Sequence, residues 1–194
     1  VTNRRRTIEK RRPHQSLETG PFPRPLYGDI AMRPFSDDII GHYVNLGAWE
    51  TRSLGEQFDQ LVDSRPEQTA VVDDPTRSTF TNGAPQRLSF AELSARVDRM
   101  AATLLASGLV AGDVVLVQLP NTWENLAIIL VCMRTGLVLS PVPVQYRGKE
   151  LTDIIETAHP RAVLTTTSFK GFDHAEMMVK VFKDAQAQVF VVED

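Results

Sequence analysis

Cysteine is almost missing from this sequence: Cys132 stands alone. One cysteine cannot close an internal disulfide, which suits a reducing compartment and a cytoplasmic protein. Long apolar runs are missing too. The longest, Leu126 to Met133, falls far short of the roughly 18 residues that span a bilayer, so no transmembrane segment is expected. The first dozen residues are basic and polar and carry no secretory signal. No Gly-x-Gly-x-x-Gly follows a strand and no Gly-x-x-x-x-Gly-Lys-Ser/Thr occurs, which argues against a dinucleotide-binding domain and a P-loop NTPase. The four histidines, His14, His42, His159 and His174, are far apart and lack both metal-ligand spacing and nearby triad partners. The carboxylate pairs Asp37-Asp38 and Asp73-Asp74 lie among polar residues, with no apolar context to raise a pKa, and read as solvated loop charges.

What is present is an ordinary globular composition with a lopsided charge. Residues 1–12 hold six bases and one acid, a net +5, and the remainder carries −8. So acidic a body is not expected to bind nucleic acid, and the basic arm reads as a solvated tail, the alternative being contact with phosphates or a membrane surface. Residues 1–35, rich in arginine and then proline, form a leader expected to be flexible or to wrap the domain. Residues 36–194 read as one α/β unit.

That unit is regular. A short helix over 36–49 places Ile39, Ile40, Tyr43 and Val44 on one face. Ser53-Leu54-Gly55-Glu56 is a capping box, followed by Leu54, Phe58, Leu61 and Val62 at helical spacing up to Pro66. Ala70–Val72 and Arg87–Ser89 form a long-looped hairpin. Ser89 to Glu92 is a second capping box, with Leu88 and Leu93 as a hydrophobic staple and Gly108 as the left-handed stop. Strands at 113–119, 138–142, 162–164 and 189–192 alternate with helices over 121–136, 151–160 and 172–185. This is a βαβαβαβ run and implies a mostly parallel sheet with flanking helices. The helix after Asn121 is apolar nearly all round, so it is buried. Trp123 and Met177-Met178 belong to the core. Thr165 to Gly171 is rich in hydroxyls and ends near Lys170, but one glycine cannot wrap a phosphate, so it reads as a polar connection.

Residues from about 50 to 194 resemble the first part of the adenylate-forming acyl-CoA synthetases. The matches stand in family order: Arg65-Pro66 to Ala70-Val71, Leu88-Ser89-Phe90-Ala91-Glu92-Leu93, Gly112-Asp113-Val114-Val115, Leu119-Pro120-Asn121 with Glu124, and Gly136 to Pro141 followed by Tyr146-Arg147 and Glu150-Leu151. Leu137 replaces the family's usual alanine, and Pro143-Val144 a commoner Asn-Pro.

The resemblance implies the fold of the N-terminal subdomain of such enzymes. It also implies a parent ligase that activates a carboxylic acid with ATP to an acyl-adenylate and transfers it to CoA, with Mg²⁺ on the phosphates. Fatty acid metabolism is the broad setting, and aromatic, alicyclic and medium-chain acids all remain open. The family's glycine-rich phosphate loop, adenine motif, magnesium-contacting glutamate and C-terminal lysine are not found in this chain. It is therefore expected to be inactive alone, to partner the rest of the same polypeptide, and to self-associate through exposed apolar faces. In some relatives the nucleotide end of CoA crosses this subdomain, which by resemblance assigns a CoA-facing edge to Gln145, Tyr146, Arg147 and Lys170. The alternative is a stand-alone Rossmann-like module that binds a nucleotide or partner.

Overall fold

The computed structural model describes residues 35–185 and 187–192. The leader, apart from Phe35, and the last two residues lie outside them. Helix α1 (Asp37–Asn45) is capped by Ser36. Helix α2 (Leu54–Ser64) begins in the expected capping box, Ser53 and Glu56 each satisfying the other's backbone N–H. Only Phe58 of α2 is buried, and Leu54 is 62% exposed rather than part of the core face. Strand β1 (Thr69–Val72) pairs antiparallel with β2 (Arg87–Ser89), which is the expected hairpin. Ser89 and Glu92 then box the start of α3 (Phe90–Ala106). Leu88 and Leu93 on either side of that cap are both buried.

The central layer follows. Strands β3 (Val114–Gln118) and β4 (Val138–Pro141) are linked by helix α4 (Trp123–Thr135). Gly136 ends α4 at φ +73°, and a Cβ there would sit 3.0 Å from that of Ala111, so glycine is required twice over. Helix α5 (Gly148–Ala158) leads to β5 (Ala162–Thr165). Next comes a small ribbon, β6 (Ser168–Phe169) and β7 (Phe172–Asp173), which the sequence does not announce. Helix α6 (His174–Val181) starts two residues later and ends four earlier than the apolar spacing suggests. Strand β8 (Gln188–Val191) completes a parallel sheet in the order β4-β3-β5-β8.

Side chains alternate across this sheet. Val115, Val117 and Leu164 face a core shared with α3 and α4. Leu116 and Val163 face a second core with Leu151 of α5 and Met178 of α6. Helices on opposite faces follow when the chain steps from β3 out to β4 and then back past β3 to β5, with one crossover hand throughout. Among the described residues no helix is long and apolar enough to cross a membrane.

Candidate functional site

The strand order reverses between β3 and β5, and open α/β sheets take ligands beyond the strand ends at such a reversal. Here the chain's own hairpin loop enters that crevice. A cavity of about 310 Å³ remains, lined by Arg77, Thr81, Leu119, Thr122, Glu124 and Thr167 among others. Arg77, on a single 3-10 turn (Arg77–Thr79), is 3% exposed. Its guanidinium meets Asp73 and Glu124, each at 2.5 Å. Asp73 is therefore not a solvated loop charge: it is 6% exposed, while Asp74 beside it is exposed. Its Oδ2 also accepts from the Gln86 N–H at 3.1 Å, and Oδ1 accepts from the Trp123 N–H at 2.9 Å. Thr122 makes no capping bond of its own, so α4 is capped by a carboxylate fifty residues upstream. Two carboxylates face one guanidinium, and the positive end of α4 helps hold the surplus negative charge.

The expected edge lies beside this crevice. Gln145 and Lys170 share an open groove of about 910 Å³ with Phe80, Phe169, Asn121 and Asn125. All four edge residues are exposed. Lys170 is at the ribbon's tip with φ +50°, followed by Gly171 at +77°. Two successive positive φ values are what a two-residue ribbon turn requires, and a lysine there is strained. Its N–H donates to the Phe80 carbonyl at 2.9 Å, and its ammonium is 5.5 Å from the Phe169 ring centre with no carboxylate partner among the described residues. Arg147 is differently employed. Its Nη1 donates to the carbonyls of Val144 and Tyr146, and the guanidinium lies 4.0 Å over the Phe172 ring. The structure thus brings 144–147 against the ribbon, with Lys170 as the unpaired cation and Arg147 as a brace.

Sequence reasoning missed what lies underneath. Gln118, at the end of β3, and His174, the first residue of α6, are both fully buried. Gln118 Nε2 donates to the Pro143 and Tyr146 carbonyls at 2.8 and 3.2 Å. Its Oε1 is 3.0 Å from His174 Nδ1. Those two carbonyls fix which end of the amide is nitrogen, so Nδ1 must carry a proton, and the neutral ring is the Nδ1–H tautomer. Nε2 then has no hydrogen-bond partner among the described residues. Burial pushes the imidazole pKa below its ordinary value, Arg147 pushes the same way, and Asp173 opposes them. The available signal was one amide in an otherwise apolar strand. Among the described residues no group of three or more His, Cys, Asp and Glu is placed to hold a metal ion.

Comparison with known proteins agrees with this scaffold. A 2-hydroxy-7-methoxy-5-methyl-1-naphthoate–CoA ligase of Streptomyces carzinostaticus is 33% identical over 80% of this chain and 25% of its own length. A salicylyl-CoA synthase/salicylate adenylyltransferase of a Streptomyces species is 31% identical over 78% of the chain and 26% of its own. The chain thus spans about a quarter of the length of these relatives. Apo MbtA of Mycobacterium smegmatis superposes with a TM-score of 0.67 at 27% identity, over 82% of this chain and 28% of that one. The N-terminal subdomain of NpsA from Klebsiella oxytoca shares the fold, with a TM-score of 0.54 at 19% identity over 72% of this chain and 31% of that one. Residues 58–194 match the family described as AMP-binding enzyme, and the chain belongs to it.

Proposed function

We propose that the whole protein activates an aromatic carboxylic acid with ATP and passes the acyl group to CoA, and that this chain supplies part of the scaffold and the CoA-facing edge. The observation that carries the proposal is the family match over 58–194, together with relatives above 30% identity that are named as a naphthoate–CoA ligase and a salicylyl-CoA synthase. The carboxylate oxygen would attack the α-phosphorus, forming an acyl-adenylate and releasing pyrophosphate. The thiol would then attack the acyl carbon, and the bond to AMP would break. Mg²⁺ neutralises phosphate charge in such a transfer. Neither a glycine-rich phosphate loop nor its lysine is present in this sequence, so the adenylation machinery is assigned to none of these residues. What this chain can offer is a cation, Lys170, with no carboxylate partner among the described residues and set over an aromatic groove, and the exposed ring of Tyr146 nearby. That pairing suits a phosphate joined to a purine.

The test is ATP–pyrophosphate exchange by the full-length protein with benzoate, salicylate and a naphthoate against acetate and octanoate. Exchange is expected with aryl acids and none with the 194-residue chain alone. Exchange only with aliphatic acids would remove the aryl reading. Thioester formation is then followed with CoA. Lys170→Ala should raise the KM for CoA and leave exchange unchanged, whereas an unchanged KM takes Lys170 out of the edge.

A further inference from the structure

We infer that Gln118 and His174 are positioning residues: a buried amide–imidazole latch that sets the 143–147 segment in place against the 168–173 ribbon. The inference rests on the CoA reading for its functional meaning, but its geometry stands alone. Beyond Val142 the chain leaves the sheet, and the carbonyls of Pro143 and Tyr146 point back at the end of β3. Gln118 answers both with its two amide hydrogens and turns its oxygen to His174. His174 is tied to the root of the ribbon as well, since its own N–H donates to the Thr167 carbonyl at 3.0 Å. Three segments that are distant in sequence therefore meet at one fully dehydrated amide. The rings continue the stack outward. His174 meets Phe172 edge-on at 5.0 Å, and Phe172 carries the Arg147 guanidinium. An apolar residue at 118 would take one donor from each carbonyl, leaving Pro143 only the Tyr146 N–H at 3.0 Å and Tyr146 only Arg147 Nη1 at 2.9 Å, and would strip the buried His174 Nδ1–H of its acceptor, which is why a glutamine interrupts an otherwise apolar strand. The latch needs a donor at Nδ1 and nothing at Nε2. Arg147 and Asp173, the charged groups facing the ring, act on its charge in opposite directions.

Asparagine places an N–H close to where Nδ1 stands, and phenylalanine keeps the ring but has no donor. The experiment uses the full-length protein. Imidazole ¹⁵N shifts of the wild type should show the Nδ1–H tautomer, neutral at about pH 6.5, the ordinary imidazole midpoint. An Nε2–H tautomer overturns the latch. His174→Phe should speed amide exchange at Gln145–Gly148 and Lys170–Phe172 by roughly tenfold, and His174→Asn should restore most of the protection. Equal protection in wild type and H174F also overturns it. If H174F does not fold, the wild-type tautomer and the H174N protection still decide. CoA is then titrated into each protein. Affinity about tenfold weaker in H174F and recovered in H174N supports the positioning role. A wild type with the tautomer and the protection but no CoA-induced shifts at 145–147 and 170 overturns the CoA reading, and supports the latch as a junction of the fold.

Discussion

At the scale of single residues, the buried charges decide most. Arg77 is 3% exposed and neutralises two buried carboxylates, so Arg77→Met removes the counter-charge that both face. Urea unfolding at neutral pH should register a loss of about 3–5 kcal/mol. His174 makes stability depend on pH. Its folded pKa lies below the unfolded value, so the unfolded chain binds the proton first as pH falls. Its contribution is complete above about pH 6.5 and is lost as pH falls toward the folded value. Melting temperatures followed downward from neutrality should drop less in H174N than in wild type. Cys132 is 5% exposed, and burial pushes its thiol up to about 11. It should resist alkylation in the native state and react only on unfolding, as peptide mass spectrometry would show. None of these roles is legible in the neighbouring letters. Asp73 sits in Asp-Asp-Pro-Thr-Arg, a string that reads as a solvated turn, because Trp123, whose N–H it accepts, and Glu124, which shares Arg77 with it, are some fifty residues away.

Elements were far more legible, because their signals are local. Both serine capping boxes and the stop at Gly136 follow from residues three or four apart, and the hairpin from two short runs on either side of one polar loop. Ser89→Ala should cost about 1 kcal/mol in chemical denaturation, since Glu92 loses the partner that answers it. The ribbon was not legible, since its two strands have two residues each and its turn carries a lysine where asparagine is usual. Phe172 and Asp173 extend the helical pattern on paper, but Asp173 turns its carboxylate to the Glu176 N–H and caps the helix instead. The strain at Lys170 gives a prediction of opposite signs. Lys170→Asn should raise stability by about 0.5–1 kcal/mol, because asparagine adopts positive φ more readily. The same change should weaken CoA binding by the full-length protein, and calorimetry with a CoA titration reads both.

Over the whole molecule, alternation of strand and helix was enough to give a parallel sheet, but not the strand order. The crossover from β4 past β3 to β5 is what makes β3 and β5 central, and it is also what creates the crevice that the hairpin loop fills. The loop's length looks like idle connection until the crevice is known. In hydrogen exchange the slowest amides should then fall in Val115–Val117 and Ala162–Leu164, with β4 and β8 opening sooner. The Asp73–Arg77–Glu124 cluster has a thermal consequence. Hydration of charged groups becomes less favourable on heating, so the cost of keeping these three dry shrinks as temperature rises. An all-apolar replacement of the three would compare best with the natural cluster in the cold and worst near the melting point. The loop that plugs the crevice is thereby held by a contact whose relative worth grows with temperature, at the stage where the rest of the fold is loosening.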